Sequence, residues 1–132
     1  MTKRDMPHQH STGIDFILSQ MPDPRYYDEA SAVFQQLADS SRLKVFWLLC
    51  HCEECVSNIA AAVDMSNAAV SHHLKSLRLH NLITNRRDGK EIYYRLADTE
   101  LAALAHQIVD DFFQLSCPSK GLADHPGERD HD

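Results

Sequence analysis

The chain has 132 residues, 43% hydrophobic and 24% charged, with a formal net charge of -6. That length supports one domain with a real core and is short for two, and the longest apolar runs, such as Val45–Leu49, fall far below the roughly 20 residues that cross a bilayer. The first ten residues carry charge and histidine with no apolar stretch behind them, so a cytoplasmic protein is expected. Its four cysteines are then free thiols, open to metal or redox chemistry, rather than a disulfide framework.

The acidic total argues against a nucleic-acid partner only until its distribution is read. Between Ser66 and Leu96 stand Lys75, Arg78, Arg86, Arg87, Lys90 and Arg95 against Asp88 and Glu91, a local charge of +4. The tail from Cys117 to Asp132 sets Lys120 and Arg129 against Asp124, Glu128, Asp130 and Asp132, a local charge of -2. A basic segment inside an acidic chain is the footprint of a polyanion-binding surface, or simply a solvated charged face.

In chain order, residues 1–24 mix polar residues with Pro7, Gly13, Pro22 and Pro24 and read as a mobile arm, in which "GIDFILSQM" is apolar enough for a short docking helix. From Tyr26 a helical period begins, with Ala30, Val33, Phe34 and Leu37 at spacings of 3–4. "ADSSRLKVFWLLC" offers Asp39, Ser40 or Ser41 as an N-cap ahead of Leu43, Phe46, Trp47, Leu49 and Cys50. Ser57 is the expected cap of a short helix through Val63, with Ile59, Ala60 and Val63 on its apolar face. After the turn Asp64-Met65, Ser66 caps a second helix with Val70, His73, Leu74 and Leu77 on one side. Two helices across so short a turn form the helix-turn-helix pattern. The other side of the second helix presents Asn67, Ala68, Ser71, His72 and Lys75, a face without bulky apolar groups that can enter a major groove about 12 Å wide.

After Leu82 the period changes. "LITNRRDGKEIYYRL" reads as two strands around Asp88-Gly89, with Ile83, Ile92 and Tyr94 toward the core and Arg86, Arg87 and Lys90 near the tip. A basic hairpin directly after a helix-turn-helix makes a winged helix, whose wing lies along the phosphates. From Asp98 a last helix carries Leu101, Leu104, Ile108, Phe112 and Leu115 at steps of 3, 4, 4 and 3, a stripe suited to a second copy of the chain. Cys117-Pro118 ends it, and residues 117–132 read as disordered. The expected fold is therefore mainly α with a small β-hairpin, a winged helix-turn-helix in the order α-α-α-α-α-β-β-α. It occupies residues 25–116 and is dimeric through its terminal helices.

The stretches "LADSSRLKVFWLL", "CVSNIAAAVDMSNAAVSHHLKSLRLHNLI" and "RRDGKEIYYRLAD" resemble the ArsR/SmtB metal-sensing repressors over roughly residues 26–116. The resemblance implies a homodimeric repressor that binds double-stranded, palindromic operator DNA and is released by an inducer. Ser66, Asn67, Ala68, Ser71, His72 and Lys75 would then face the groove, with Arg86, Arg87 and Lys90 on phosphates. It also implies where an inducer could sit. The cysteine motif of many relatives falls on Cys55-Val56-Ser57-Asn58, where Ser57 replaces the second thiol. Cys50, Cys52 and Cys55 lie in the three-thiolate spacing of some arsenite sensors, displaced in register, with His51, His8 and His10 as further donors. Thiolates suit Zn(II), Cd(II) or As(III). A second family location, on the dimer helix, falls on Asp98, Glu100, Asp111 and Gln114, a set better suited to a harder ion.

Independently of the resemblance, His106 and Asp110 stand four apart on one helical face, a two-ligand spacing, and Cys117 lies farther along the same stripe, within reach of a partner's His106 in an antiparallel pair. Two other readings stay open: a repressor of the same fold responding to thiol oxidation or sulfur species, and a winged-helix interaction module that binds no DNA. An enzyme is not expected. The chain has neither a Cys-x-x-Cys at a strand–helix junction nor a glycine-rich cofactor loop.

Overall fold

The structure, a computed structural model, describes residues 6–10 and 13–116. Its elements run α1 (Gly13–Ser19), α2 (Pro24–Ala38), α3 (Ser40–His51), β1 (Glu54–Cys55), α4 (Val56–Val63), α5 (Asn67–Leu79), β2 (Ile83–Asp88), β3 (Glu91–Leu96) and α6 (Glu100–Ser116). The chain divides into two compact units, Met1–Ala32 and Val33–Asp132. In the first, α1 forms where the apolar run "GIDFILS" suggests, with no buried residue, and Pro24 opens α2 at the first helical position, where its missing N–H costs nothing. The expected disorder of residues 117–132 lies outside the described residues.

The second unit is built around α3. Asp39 caps it, its carboxylate accepting from the Arg42 N–H at 2.9 Å, and that backbone bond holds the Asp39 carboxyl below its ordinary range. Val45, Phe46 and Leu49 are buried, and α3 packs against α4, α5, α6 and β3. The rest of the core comes from Ile59, Ala60 and Val63 of α4, Val70, Leu74 and Leu77 of α5, Leu82 and Ile83, and Ala105 and Val109 of α6. Gln36 is also buried, and its side-chain oxygen accepts from the Ser76 hydroxyl at 2.5 Å, so it carries no unmet acceptor there.

The expected helix-turn-helix is present. Asp64 ends α4 in the left-handed region (φ 58°, ψ 53°), and the N–H groups of Asp64 and Met65 both return to the Ala60 carbonyl. Ser66 then caps α5, its hydroxyl accepting from the Ala69 N–H at 3.1 Å. One cap differs from expectation: α4 begins at Val56 with Cys55 as N-cap, so Ser57 lies inside the helix.

The wing is three-stranded rather than two-stranded. β2 and β3 pair from Ile83↔Leu96 to Asp88↔Glu91 around a two-residue turn at Gly89-Lys90, where Gly89 has the positive φ (66°) such a turn requires. β1 adds to the other side of β3, Glu54 opposite Tyr94 and Cys55 opposite Tyr93, giving the order β1-β3-β2. Of the hairpin residues expected inward, Ile83 is in the core and Tyr94 packs against it, whereas Ile92 is half-buried. No helix of the described residues is long and apolar enough to cross a membrane.

Candidate nucleic-acid interface and metal centre

Helix α5 is amphipathic in the sense a reading helix needs. Val70, His73, Leu74 and Leu77 are buried on the inner side, while Ser66, Asn67, Ala68, Ser71, His72 and Lys75 are all exposed on the outer side. His73 is therefore a packed residue. Burial pushes its imidazole below the usual histidine range, and the Arg42 guanidinium sits 3.5 Å from Nδ1, a contact compatible with the neutral ring. Between the C-terminal half of α5 and β3 lies an open groove of about 500 Å³ lined by Ser71, Lys75, Arg78, Asn81 and Tyr94.

The three wing cations differ in their surroundings. Arg87 and Lys90 are exposed at the tip, Arg87 with only a 3.4 Å bond to the Gly89 carbonyl. Arg86 is engaged: its Nε and Nη2 donate to the two oxygens of Glu53 at 2.9 and 2.8 Å, and its guanidinium lies over the Tyr93 ring, 5.0 Å from the centroid. Those bonds hold the Glu53 carboxyl below its ordinary range and raise Arg86 above its own. Arg95 approaches the same carboxylate at 3.8 Å. Glu53 thus ties the segment after α3 to the wing. Sequence spacing could not reveal it, since the partners are 33 residues apart.

The sequence-predicted ligand residues are distributed over separate parts of the structure. The thiols of "CHCEEC" are spread over different elements: Cys50 on α3, Cys52 at its C-cap with the thiol donating to the Leu48 carbonyl at 3.4 Å, and Cys55 on β1. Burial pushes the Cys50 thiol up to about 12, with the Asp110 carboxylate adding to the effect; Cys52 is raised by burial and by Glu54. Asp98, Glu100, Asp111 and Gln114 are all exposed, with Asp98 3.5 Å from Arg95 and Asp111 accepting from Gln107 at 2.8 Å. His8 and His10 stack on one another, ring centroids 5.4 Å apart. Cys117 lies outside the described residues.

The expected pair His106 and Asp110 is the one that meets a third donor, and that donor is His51. Among the described residues, these three alone bring His, Cys, Asp or Glu donor atoms together as a group, one from each residue and all within 4.8 Å of one another. Nε2 of His106 lies 2.7 Å from Oδ2 of Asp110, and Nε2 of His51 lies 3.5 Å from Oδ1. The His51 ring is set by Trp47, one turn earlier (centroids 4.7 Å, 48°), and meets the His106 ring edge-on (5.0 Å, 86°). Nε2 of His106 and Oδ1 of Asp110 are shielded from water yet make no hydrogen bond, so the 2.7 Å approach lacks the alignment of an N–H···O bond. Two imidazoles and a carboxylate suit a borderline divalent ion. The thiols, by contrast, do not converge on a common point, so the residues fit a nitrogen–oxygen site better than a three-thiolate arsenite site. Sequence reasoning grouped His51 with the cysteines. The signal that could have moved it was its i,i+4 spacing from Trp47, which puts it on a lateral face of α3.

Comparison with known proteins agrees with this architecture. The profile described as bacterial regulatory protein, arsR family, matches residues 39–85. A transcriptional repressor SmtB homolog from Synechocystis is 36% identical over 109 residues, covering 80% of this chain and 80% of its own. An arsenical resistance operon repressor from Staphylococcus aureus is 36% identical over 88 residues, covering 67% and 77%. Among solved structures, a homodimeric winged helix-turn-helix DNA-binding domain from Mycobacterium bovis superposes with a TM-score of 0.56 at 28% identity, over 81% of this chain and 94% of that one. The chain belongs to the arsR family of bacterial regulatory proteins, DNA-binding transcriptional repressors of the winged helix-turn-helix fold.

Proposed function

We propose that the protein is a homodimeric repressor that grips operator DNA with α5 and the wing and releases it when a metal ion binds. The observation that carries the reading is the outer face of α5: every residue expected in the groove is exposed, short or flexible, while the opposite face is locked into the core. Ser66, Asn67, Ser71, His72 and Lys75 supply hydrogen-bond donors and acceptors for base edges and phosphates, and Arg87 and Lys90 supply charge for the backbone.

Dimerisation is supported by α6. Leu101, Leu104, Ile108, Phe112 and Leu115 are 40%, 58%, 41%, 63% and 84% exposed, whereas Ala102, Ala105 and Val109 on the other side are buried. An apolar stripe of that length, left in water, matches the pattern of a helix that packs against its own copy, and a two-fold dimer would offer two copies of α5 to a palindromic site. A metal inducer is supported by a relative named for arsenical resistance and by the His–Asp cluster. The thiol-oxidation reading loses ground because Cys50 and Cys52 are held as thiols above their ordinary range, the less reactive form.

The test is fluorescence anisotropy with a duplex from the protein's own promoter, titrated at several salt concentrations. Binding that weakens linearly in log K against log salt, with two chains per duplex by light scattering, is the expected result. A protein that stays monomeric, or that binds no duplex at low salt, would be an interaction module instead.

A further inference from the structure

We propose that His51, His106 and Asp110 form an intrachain binding site for a borderline divalent cation of the Zn(II), Co(II) or Ni(II) class, linking the end of α3 to α6. The geometry is close to what such an ion needs. A tetrahedral ion with bonds of about 2.0–2.1 Å spaces its donor atoms about 3.4 Å apart. Nε2 of His51 stands 3.5 Å from Oδ1 of Asp110 and Nε2 of His106 2.7 Å from its Oδ2, and one donor atom from each of the three lies within 4.8 Å of the others, so an ion held through a single carboxylate oxygen needs only a small turn of the Asp110 side chain. The three donors project from two helices packed in one core, so the site is preorganised by Leu49, Ala105 and Val109 rather than by flexible loops. Trp47 restrains the His51 ring from one side, leaving its Nε2 directed at Asp110. The fourth position is open to water, or to Cys50, the residue before His51 on α3, once its thiol gives up its proton.

Its place in the fold gives it a mechanical consequence. His51 is the last residue of α3; Cys52 and Glu53 follow, and then β1 pairs with β3 of the wing. Glu53 also holds Arg86 on β2. His106 and Asp110 lie on the helix whose other face carries the Leu101–Leu115 stripe. An ion drawing His51 toward α6 therefore acts on the segment that anchors the wing and on the helix that presents the dimer face. This deepens the repressor reading for its regulatory consequence, while the ion site itself stands apart from DNA binding.

The experiment is a Co(II) titration of the reduced full-length protein, read by its visible d–d absorption, with a promoter duplex assay run in parallel. Wild type is expected to bind one ion per chain with the intense bands of tetrahedral cobalt. His51→Gln, His106→Gln and Asp110→Asn are expected each to weaken binding at least about tenfold. Cys52→Ser and Cys55→Ser are expected to leave it unchanged, and circular dichroism melts confirm that each variant is folded. Thiolate-to-cobalt charge transfer that disappears in Cys50→Ser would identify the fourth ligand as Cys50, and its absence in wild type would identify water; either accords with the site. Undiminished binding in folded His51→Gln and His106→Gln overturns the site, as does loss in Cys52→Ser or Cys55→Ser. If wild type binds cobalt at these residues but never binds the duplex, the repressor reading fails and the ion site stands.

Discussion

Helix α5 and the segment Cys50–Cys55 hold the richest chemistry in the chain, and they relate sequence to space in opposite ways. Along α5 the groove-facing set Asn67, Ser71 and Lys75 and the buried set Val70, Leu74 and Leu77 each recur at helical spacing, and the structure puts each on one side. In Cys50–Cys55 six residues cross a helix end, a cap and a strand, so three thiols close in sequence point into different surroundings. Linear spacing predicts proximity inside one regular element. Where the backbone changes direction, it predicts little.

The sharpest way to test the two-sided reading of α5 is to change adjacent residues on opposite sides. Leu74 is 1% exposed, and Leu74→Ala should cost about 2–5 kcal/mol of stability by chemical denaturation, because it removes buried apolar volume and leaves a cavity. Lys75→Ala next to it should leave the denaturation midpoint unchanged while weakening duplex binding and lowering the salt slope by about 1. Equal loss of stability in both variants would mean that α5 has no free face.

The wing carries a comparison of the same kind between Arg86 and Arg87. Arg87→Ala should weaken duplex binding more than Arg86→Ala, because Arg86 is already committed to Glu53 and must be released before it meets a phosphate. Glu53→Gln should then strengthen binding at low salt and steepen the salt slope by about 1, as the freed guanidinium becomes available. If Glu53→Gln weakens binding instead, the Glu53–Arg86 pair positions the wing for DNA rather than withholding a charge from it.

The legible parts of the molecule share a physical cause. α5 and α6 each repeat an apolar face at helical spacing, α3 carries the contiguous apolar run Val45–Cys50 behind its Asp39 cap, and the wing is marked by a Gly at a position needing positive φ. β1 escaped because two residues cannot show alternation; its existence depends on β3, some 40 residues away, offering a free edge. The Ser57 cap was misplaced for the same reason, since pairing at Cys55 starts α4 earlier than side-chain preference suggests. Two of the three donors of the candidate metal site are readable as His106 and Asp110 at i,i+4. His51 is not, because its meeting with them depends on how α3 crosses α6, which Leu49, Ala105 and Val109 decide through packing.

His73 offers the smallest and most specific test, since its imidazole is buried while that of its neighbour in sequence, His72, is exposed. Burial lowers its folded-state value first, Arg42 and His72 lower it further, and Asp39 partly offsets them. With a folded value below the unfolded 6.5, the unfolded chain binds more protons as pH falls through that interval. The stability that neutral His73 confers is therefore complete above the unfolded value and is lost progressively as pH drops below 6.5 toward the folded value. Denaturant midpoints measured from pH 7.5 down to 5 should show this decline in wild type, and less of it in His73→Gln, which keeps a polar side chain beside Arg42 but cannot take up a proton. His72→Gln, which removes only the smallest of the lowering causes, should retain most of the wild-type decline. An identical profile in His73→Gln would assign the pH dependence to another group and leave the inner face of α5 without a buried neutral imidazole.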